Sequence, residues 1–318
     1  KIIQREVLEH YKNSLTSSLI KVIIGPRRSG KSVLSWQLLK DKNFAYVNFD
    51  DERLAGIGTE ELNSILQAIY EIYQKPKYIF FDEIQNVAKW ELFANRLKRR
   101  GFNLLITGSN AKLLSQELAT HLTGRHFSLE LFPFSFREYL DFNNVNYHKK
   151  YFSTEETAVL KRFLEKYLER GGFPEVVQGE DYKKYLLSLY STIITKDILV
   201  RHKIRHLKTL KEFANYLISN FACPMTFNKL KNIFSLKSVH TAKNYFSFIE
   251  EAYLIFTVER FSFKAKERLT APRKVYAIDT GLSKAVSIKF SQDIGHVYEN
   301  IVALELLRTV KSSFKTEI

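Results

Sequence analysis

Apolar and polar positions along this chain fall into two regimes. Up to about residue 132, short apolar runs alternate with amphipathic stretches. Leu19–Ile24, Phe44–Phe49, Tyr78–Phe81, Asn103–Thr107 and Phe127–Leu131 are brief and rich in β-branched and aromatic side chains, which predicts strands. SVLSWQLLK after Gly30, Glu60–Tyr73 and Trp90–Arg99 carry helical spacing, the last halted at Gly101. Residues 1–18 predict an amphipathic helix ahead of the first strand. Strands and helices in strict alternation predict a parallel sheet with helices on both faces. Residues 134–200 are helical in period, with a turn at Gly171-Gly172-Phe173-Pro174. Residues 205–262 predict three helices and a strand at Tyr253–Glu259. Lys274–Ile278 predicts another strand running into Asp279-Thr280-Gly281, and the helix HVYENIVALELLR follows Gly295. There is no internal repeat.

Composition bounds this picture. A chain of 318 residues with 45% hydrophobic residues has enough apolar material for two or three packed domains and is not a disordered one. The single cysteine, Cys223, excludes an intrachain disulfide framework and points to a reducing, cytoplasmic setting. No apolar run approaches the roughly 20 residues that cross a bilayer, so no membrane partner is expected. The opening KIIQREVLEH has no signal-peptide core, and without an initiator Met the chain is expected to begin inside or just after the natural start. The formal charge of +15 attracts polyanions, although charge alone names no partner.

The sharpest chemistry lies after the first strand. Gly25-Pro26-Arg27-Arg28-Ser29-Gly30-Lys31-Ser32 fits G-x-x-x-x-G-K-[ST], with Val33 continuing into the helix. Such a loop curls so that its backbone N–H groups face phosphates, and the following helix aims its positive end at the same oxygens. Lys31 is placed to reach the β- and γ-phosphates of ATP, and Ser32 to ligate Mg²⁺. The side chains of Arg27 and Arg28 are open to a protein or nucleic-acid partner or to water, with water the better expectation. At the end of the third strand, Tyr78-Ile79-Phe80-Phe81 runs into Asp82 and Glu83. Acids there lie in the crevice where α/β sheets bind ligands, Asp82 toward the metal and Glu83 toward the attacking water. In Leu104-Leu105-Ile106-Thr107-Gly108-Ser109-Asn110, Ser109 is the first candidate to sense the γ-phosphate, with Asn110 and Thr107 behind it; a helix cap at Ser109 or Asn110 is equally open.

Together GPRRSGKS, YIFFDEIQ and LLITGSN resemble the AAA+ ATPases, in particular the archaeal and bacterial family with a DUF4143-type C-terminal region. GRHFSLELFPFSFREYL, GGFPEVV, KVYAIDTGL and GHVYENIVALELLR extend the resemblance over nearly the whole chain. It implies that Asp82 and Glu83 are the Walker B acids and that Ser109 or Asn110 is the sensor. It also directs attention to Arg125, in Leu122-Thr123-Gly124-Arg125, as an arginine finger toward a neighbouring subunit, which would require a homo-oligomer. Glu299 would match the first acid of a nuclease-like domain. The remaining acids and lysine of such a site do not occur before Ile318, so no nuclease chemistry is expected.

Within residues 205–262 the pattern suggests a winged helix. Thr226 caps FNKLKNIF and Ser238 caps VHTAKNYFSFIEEA. Phe246, Ile249 and Ala252 share an inner face, and His240, Lys243 and Asn244 are left for a groove of DNA. Lys229, Lys231 and Lys237 would meet phosphates. The scattered histidines give no metal cluster. The expectation is therefore an α/β chain: an AAA+ P-loop NTPase core with a parallel sheet over 1–132, a helical lid over 133–203, a winged-helix-like domain over 204–262 and the start of a nuclease-like region over 263–318. It is expected to bind ATP or ADP with Mg²⁺ and to hydrolyse ATP around a DNA or protein partner. The rival expectations are a slow nucleotide switch and a DNA-binding regulator with little turnover.

Overall fold

The computed structural model describes residues 2–109, 126–264, 266–267, 271–287 and 293–313. The chain divides into two compact units, Gln4–Leu131 and a second comprising Phe132–Ile318 with Lys1–Ile3.

The first unit is a five-stranded sheet of β1 (Ile20–Ile24), β2 (Phe44–Asn48), β3 (Tyr78–Asp82), β4 (Asn103–Gly108) and β5 (His126–Glu130). Their order is β2-β3-β4-β1-β5, and every pairing is parallel. Because β1 and β3 are buried along their whole length, their sequences are apolar on both faces rather than alternating, apart from Lys21 in β1 and Asp82 at the tip of β3. Val22, Ile79, Phe81 and Ile106 point to one core, where α3 (Leu62–Tyr73) and α4 (Trp90–Arg99) bring Leu62, Ile65, Ile69, Trp90, Phe93 and Leu97. Ile23, Phe80, Leu105 and Leu129 point to the opposite core, closed by α1 (Leu8–Ser14) and α2 (Lys31–Leu39) through Leu8, Tyr11, Leu34 and Leu38. The first helix is shorter than the 1–18 span its amphipathic pattern predicts: Leu8 and Tyr11 carry its buried face with Leu15 just past its end, and Leu15–Leu19 runs through turns before β1.

The second unit begins with α5 (Phe136–Phe142) and α6 (Thr154–Arg170), each opened by a capping box, Ser135/Glu138 and Ser153/Glu156. A four-residue turn of helix, α7 (Pro174–Val177), leads to α8 (Tyr182–Thr192), which widens into a π-helix over Ile193–Val200. Then come α9 (Leu207–Ser219), β6 (Cys223–Met225), α10 (Phe227–Ile233), α11 (Val239–Glu251), β7 (Ile255–Val258) and β8 (Arg273–Ala277). The strands form an antiparallel sheet ordered β6-β8-β7. Strand β8 thus belongs with residues 223–258, whereas the sequence pattern assigned residues from 263 onward to a separate region. Register explains the difference, since Val275 pairs with Cys223 on one side and Thr257 on the other. Thr226 and Ser238 cap α10 and α11 through the N–H groups of Lys229 and Thr241. Phe246, Ile249 and Ala252 are buried in the core built around Phe213 and Leu217. The unit ends in α12 (Thr280–Val286) and α13 (Ile294–Ser313). Among the described residues no helix is long and apolar enough to cross a membrane.

Candidate functional site

Parallel pairing brings the carboxyl ends of β1, β3 and β4 level, with Ile24 beside Gly108 and Phe81 beside Ile106. Every charged or polar group argued from the sequence that falls among the described residues of this unit sits at or just beyond that line. The loop Gly25–Gly30 turns from β1 into α2. Gly25 has φ +149, and a Cβ there would lie 2.1 Å from the carbonyl oxygen of Leu131. The close approach that demands glycine is therefore to the neighbouring chain segment, tied to β1 by Leu131 N–H donating to Ile24 O at 2.8 Å. Gly30 is left-handed, as is Arg28 at φ 65, so two reversals within three residues shape the loop into a cradle. Arg5, itself buried, donates to the carbonyl of Ser29 at 2.9 Å and braces the loop from behind; a sequence reading by motif gave no reason to look at this arginine.

Lys31 is buried and donates to the carbonyls of Gly25 at 3.2 Å and Pro26 at 3.0 Å. Its Nζ also lies 3.6 Å from Glu83 Oε1. Ser32, in the first turn of α2, is half-buried, Val33 is exposed, and Arg27 reaches Asp50 at 3.8 Å while Arg28 is exposed. The Ser29 hydroxyl is buried and makes no hydrogen bond among the described residues.

Asp82 is buried at the tip of β3, hydrogen-bonded by Thr107 Oγ1 and by the Tyr46 hydroxyl, the latter at 3.2 Å. Thr107 Oγ1 in turn accepts from the backbone N–H of Glu83 at 3.1 Å. One threonine hydroxyl therefore sets both acids. Glu83 itself is left-handed at φ 52, which turns its side chain back toward Lys31. Burial works to raise its pKa. The Lys31 ammonium, the Gln85 amide, Arg27 and the Ser109 hydroxyl outweigh that and hold the carboxyl below its usual range. Ser109 is buried just past the end of β4, its hydroxyl beside the Glu83 carboxyl. Asn110 and Arg125 lie outside the described residues. A cavity of about 240 Å³ is lined by residues 49–52, 54–57, 86 and 87, none of them in the phosphate loop.

Among the described residues no group of three or more His, Cys, Asp or Glu could hold a metal by protein ligands alone. The donor set at the cradle, a serine hydroxyl and a carboxylate of hard oxygens, fits a Mg²⁺ that takes most of its ligands from phosphate and water. The Ser29 hydroxyl, with no hydrogen-bond partner among the described residues, is a buried donor in the same loop.

In the second unit, Glu299 accepts from Tyr276 at 2.7 Å and pairs with Lys274, so it serves the β8–α13 packing. Asn300 bonds both the N–H of Ala277, at 2.8 Å, and its carbonyl, at 2.9 Å, continuing the ladder past the end of β6. His240, Lys243, Lys229 and Lys237 are exposed and Asn244 and Lys231 half-buried, with Lys243 over the Phe227 ring at 5.6 Å.

Two family models match the chain: an AAA domain over residues 17–140 and a domain of unknown function, DUF8612, over residues 161–293. The second stands where the sequence resemblance had pointed to a DUF4143-type region. "Uncharacterized protein MJ1544" of Methanocaldococcus jannaschii is 41% identical, the match covering 97% of this chain and 70% of that protein. An "Uncharacterized protein" of Haemophilus influenzae is 31% identical over 92% of this chain and 75% of its own length. Among solved structures, the Walker-type ATPase PABY2304 of Pyrococcus abyssi superposes with a TM-score of 0.59 at 15% identity, covering 90% of this chain and 96% of that one. The chain belongs to the same family as the M. jannaschii and H. influenzae proteins, and its first unit is an AAA-type P-loop ATPase fold of the α/β class.

Proposed function

We propose that this protein hydrolyses ATP to ADP and phosphate by in-line attack of water, and that its second unit carries the DNA on which turnover acts. The observation that supports hydrolysis is the cluster itself: Lys31, Asp82, Glu83 and Thr107 converge at the end of one parallel sheet, beside a loop that only glycine at position 25 permits. The loop amides from Gly25 to Ser32 and the start of α2 hold the phosphates, and Lys31 adds a positive charge. Ser32 and Asp82 are the residues that would hold Mg²⁺, which when bound neutralises the phosphate oxygens. Glu83, kept ionised by Lys31 and Gln85, takes a proton from water as the oxygen bonds to the γ-phosphorus. The bond from that phosphorus to the bridging oxygen breaks, and ADP leaves with the electron pair. Ser109 and Asn110 are proposed to sense the γ-phosphate, and Arg125 to act on a neighbouring subunit's nucleotide.

The DNA reading rests on topology and charge. Helix, strand, two helices and two further strands, α9-β6-α10-α11-β7-β8, follow the order of a winged helix, with α11 as the groove-entering helix. Residues 201–274 carry fifteen Lys or Arg against five Asp or Glu. Beyond β7, Phe261 and Phe263 are 78% and 96% exposed, beside Arg260 and Lys264.

Steady-state phosphate release, with and without duplex DNA, together with the Glu83→Gln variant, tests the reading. Turnover that DNA stimulates, and that Glu83→Gln abolishes while ATP still binds, supports it. A wild-type chain that binds nucleotide but releases no phosphate above background makes it a slow switch instead.

A further inference from the structure

Beyond the P-loop and the two acids, one side chain at this site has a divided role. Gln85 follows Glu83 by two residues in a short 3₁₀ turn, Ile84–Asn86. The turn is pinned on both sides: Ile84 is fully buried, and Asn86 Nδ2 donates to the carbonyl of Phe49 at 3.1 Å. Within it the left-handed Glu83 folds the chain back, and Gln85 Nε2 donates to Glu83 Oε2. The general base is thus gripped at two oxygens, Oε1 facing Lys31 and Oε2 bonded to Gln85. The other half of the Gln85 carboxamide, Oε1, is buried and has no hydrogen-bond partner among the described residues. A buried amide oxygen left unbonded forfeits its hydration without a partner in return, so its persistence calls for an explanation.

We propose that Gln85 positions Glu83 and that its free Oε1 accepts the second hydrogen of the water Glu83 activates. A water molecule has two hydrogens and needs two acceptors to be oriented. With one hydrogen on the Glu83 carboxylate and the other on Gln85 Oε1, its remaining lone pair is directed away from both, toward the phosphorus held by the cradle. During attack the first hydrogen passes to Glu83 as a proton, the new O–P bond forms, the bond to the bridging oxygen breaks, and the second hydrogen stays on the product phosphate. The carboxamide is suited to this because it donates and accepts without changing charge; a carboxylate at 85 would repel Glu83, and an alkyl group would do neither. The inference rests on Glu83 being the base of ATP hydrolysis.

Three variants test it: Gln85→Leu, Gln85→Glu and, as the control for the base, Glu83→Gln. Each is measured for binding of a fluorescent ADP, for binding of ADP with aluminium fluoride, which mimics the attacked phosphate with its water, and for kcat and KM. Gln85→Leu and Gln85→Glu should lower kcat by 30-fold or more with KM for ATP and ADP affinity within threefold of wild type. They should also lose the extra affinity conferred by aluminium fluoride. Retained ADP affinity shows that the cradle is folded. If kcat and aluminium fluoride binding match wild type in both variants, Gln85 has no such role. If Glu83→Gln keeps its turnover, the base is wrongly assigned and this inference falls with it, a result separable from failure at Gln85 alone.

Discussion

Lys31 Nζ stands 3.6 Å from Glu83 Oε1, both largely withdrawn from solvent. A buried pair of this kind contributes little by existing and much by not being broken, since removing one partner strands the other's charge. Lys31→Ala should therefore weaken ATP binding by about 100-fold, through loss of the phosphate-directed charge. In urea it should also destabilise the first unit by about 2 kcal/mol. The double variant Lys31→Ala/Glu83→Gln should recover at least half of that stability, because no unpaired carboxylate remains. Simple additivity of the two single effects would show that the ion pair carries no energetic coupling.

The Thr107 hydroxyl touches both acids, donating to Asp82 and accepting from the Glu83 backbone. Thr107→Ser keeps both bonds. Thr107→Val keeps the volume but removes both, leaving Asp82 with Tyr46 alone among these partners. We expect the valine variant to need about tenfold more Mg²⁺ for half-maximal turnover and the serine variant to track wild type within twofold. A Mg²⁺ titration of phosphate release at fixed ATP reads the difference, and equal curves for Thr107→Val and wild type would remove the threonine from the metal site's support.

The second unit has its own pinch point. Asp279 accepts from the N–H of Gly172 at 2.7 Å and of Leu282 at 2.8 Å, and a Cβ on Gly172 or Gly281 would press to 2.3 Å and 2.0 Å against the carbonyls of Phe134 and Arg170. Asp279→Ala strands two buried donors and should cost about 3 kcal/mol. Burial pushes the Asp279 pKa up to about 6, against the amides that favour its ionised form. Between about pH 4 and 6 the unfolded chain has then released a proton that the folded chain retains, so stability falls as pH rises through that window. Thermal melts at pH 4, 5, 6 and 7 should show this decline in the wild type and a flatter profile in Asp279→Asn. A wild-type melting temperature that rises steadily from pH 4 to pH 6 while the Asn variant stays level contradicts the assignment.

These residues show where sequence legibility ends. The sheet and the phosphate loop are read from local runs: five apolar segments, and eight consecutive residues whose spacing is itself the mechanism. Glu83 and Asp82 are legible because a strand's end is a place. The Gly171-Gly172 turn and Asp279 are visible as motifs, but their meeting is a contact between positions 107 residues apart, which no periodicity encodes. Strand β8 fell on the wrong side of an expected boundary for the same reason, since its partners lie at 223–225 and 255–258. Arg5 and Gln85 were missed because each acts through a hydrogen bond that exists only after a turn has folded.

On the proposed reading of the second unit, charged and apolar contacts with DNA would be separable. If the winged-helix-like segment binds a duplex, Lys229, Lys231 and Lys237 supply phosphate contacts, and replacing all three by Gln should lower affinity and flatten the dependence of log K on log salt by about two to three units of slope. Phe261 and Phe263 meet edge to face at 5.0 Å, with 78% and 96% of their surfaces exposed, an arrangement that water alone does not favour. Beside basic residues, such a pair fits an apolar wedge at a base step, which kinks the duplex without neutralising a phosphate. Phe261→Ser/Phe263→Ser should therefore reduce affinity about tenfold and straighten an end-labelled duplex in energy-transfer measurements, while leaving the salt slope of the wild type intact. A slope that falls with the phenylalanines would mean the loop had misfolded and taken its cations with it. Unchanged affinity and bend, with DNA still bound, would place these rings against a protein partner instead.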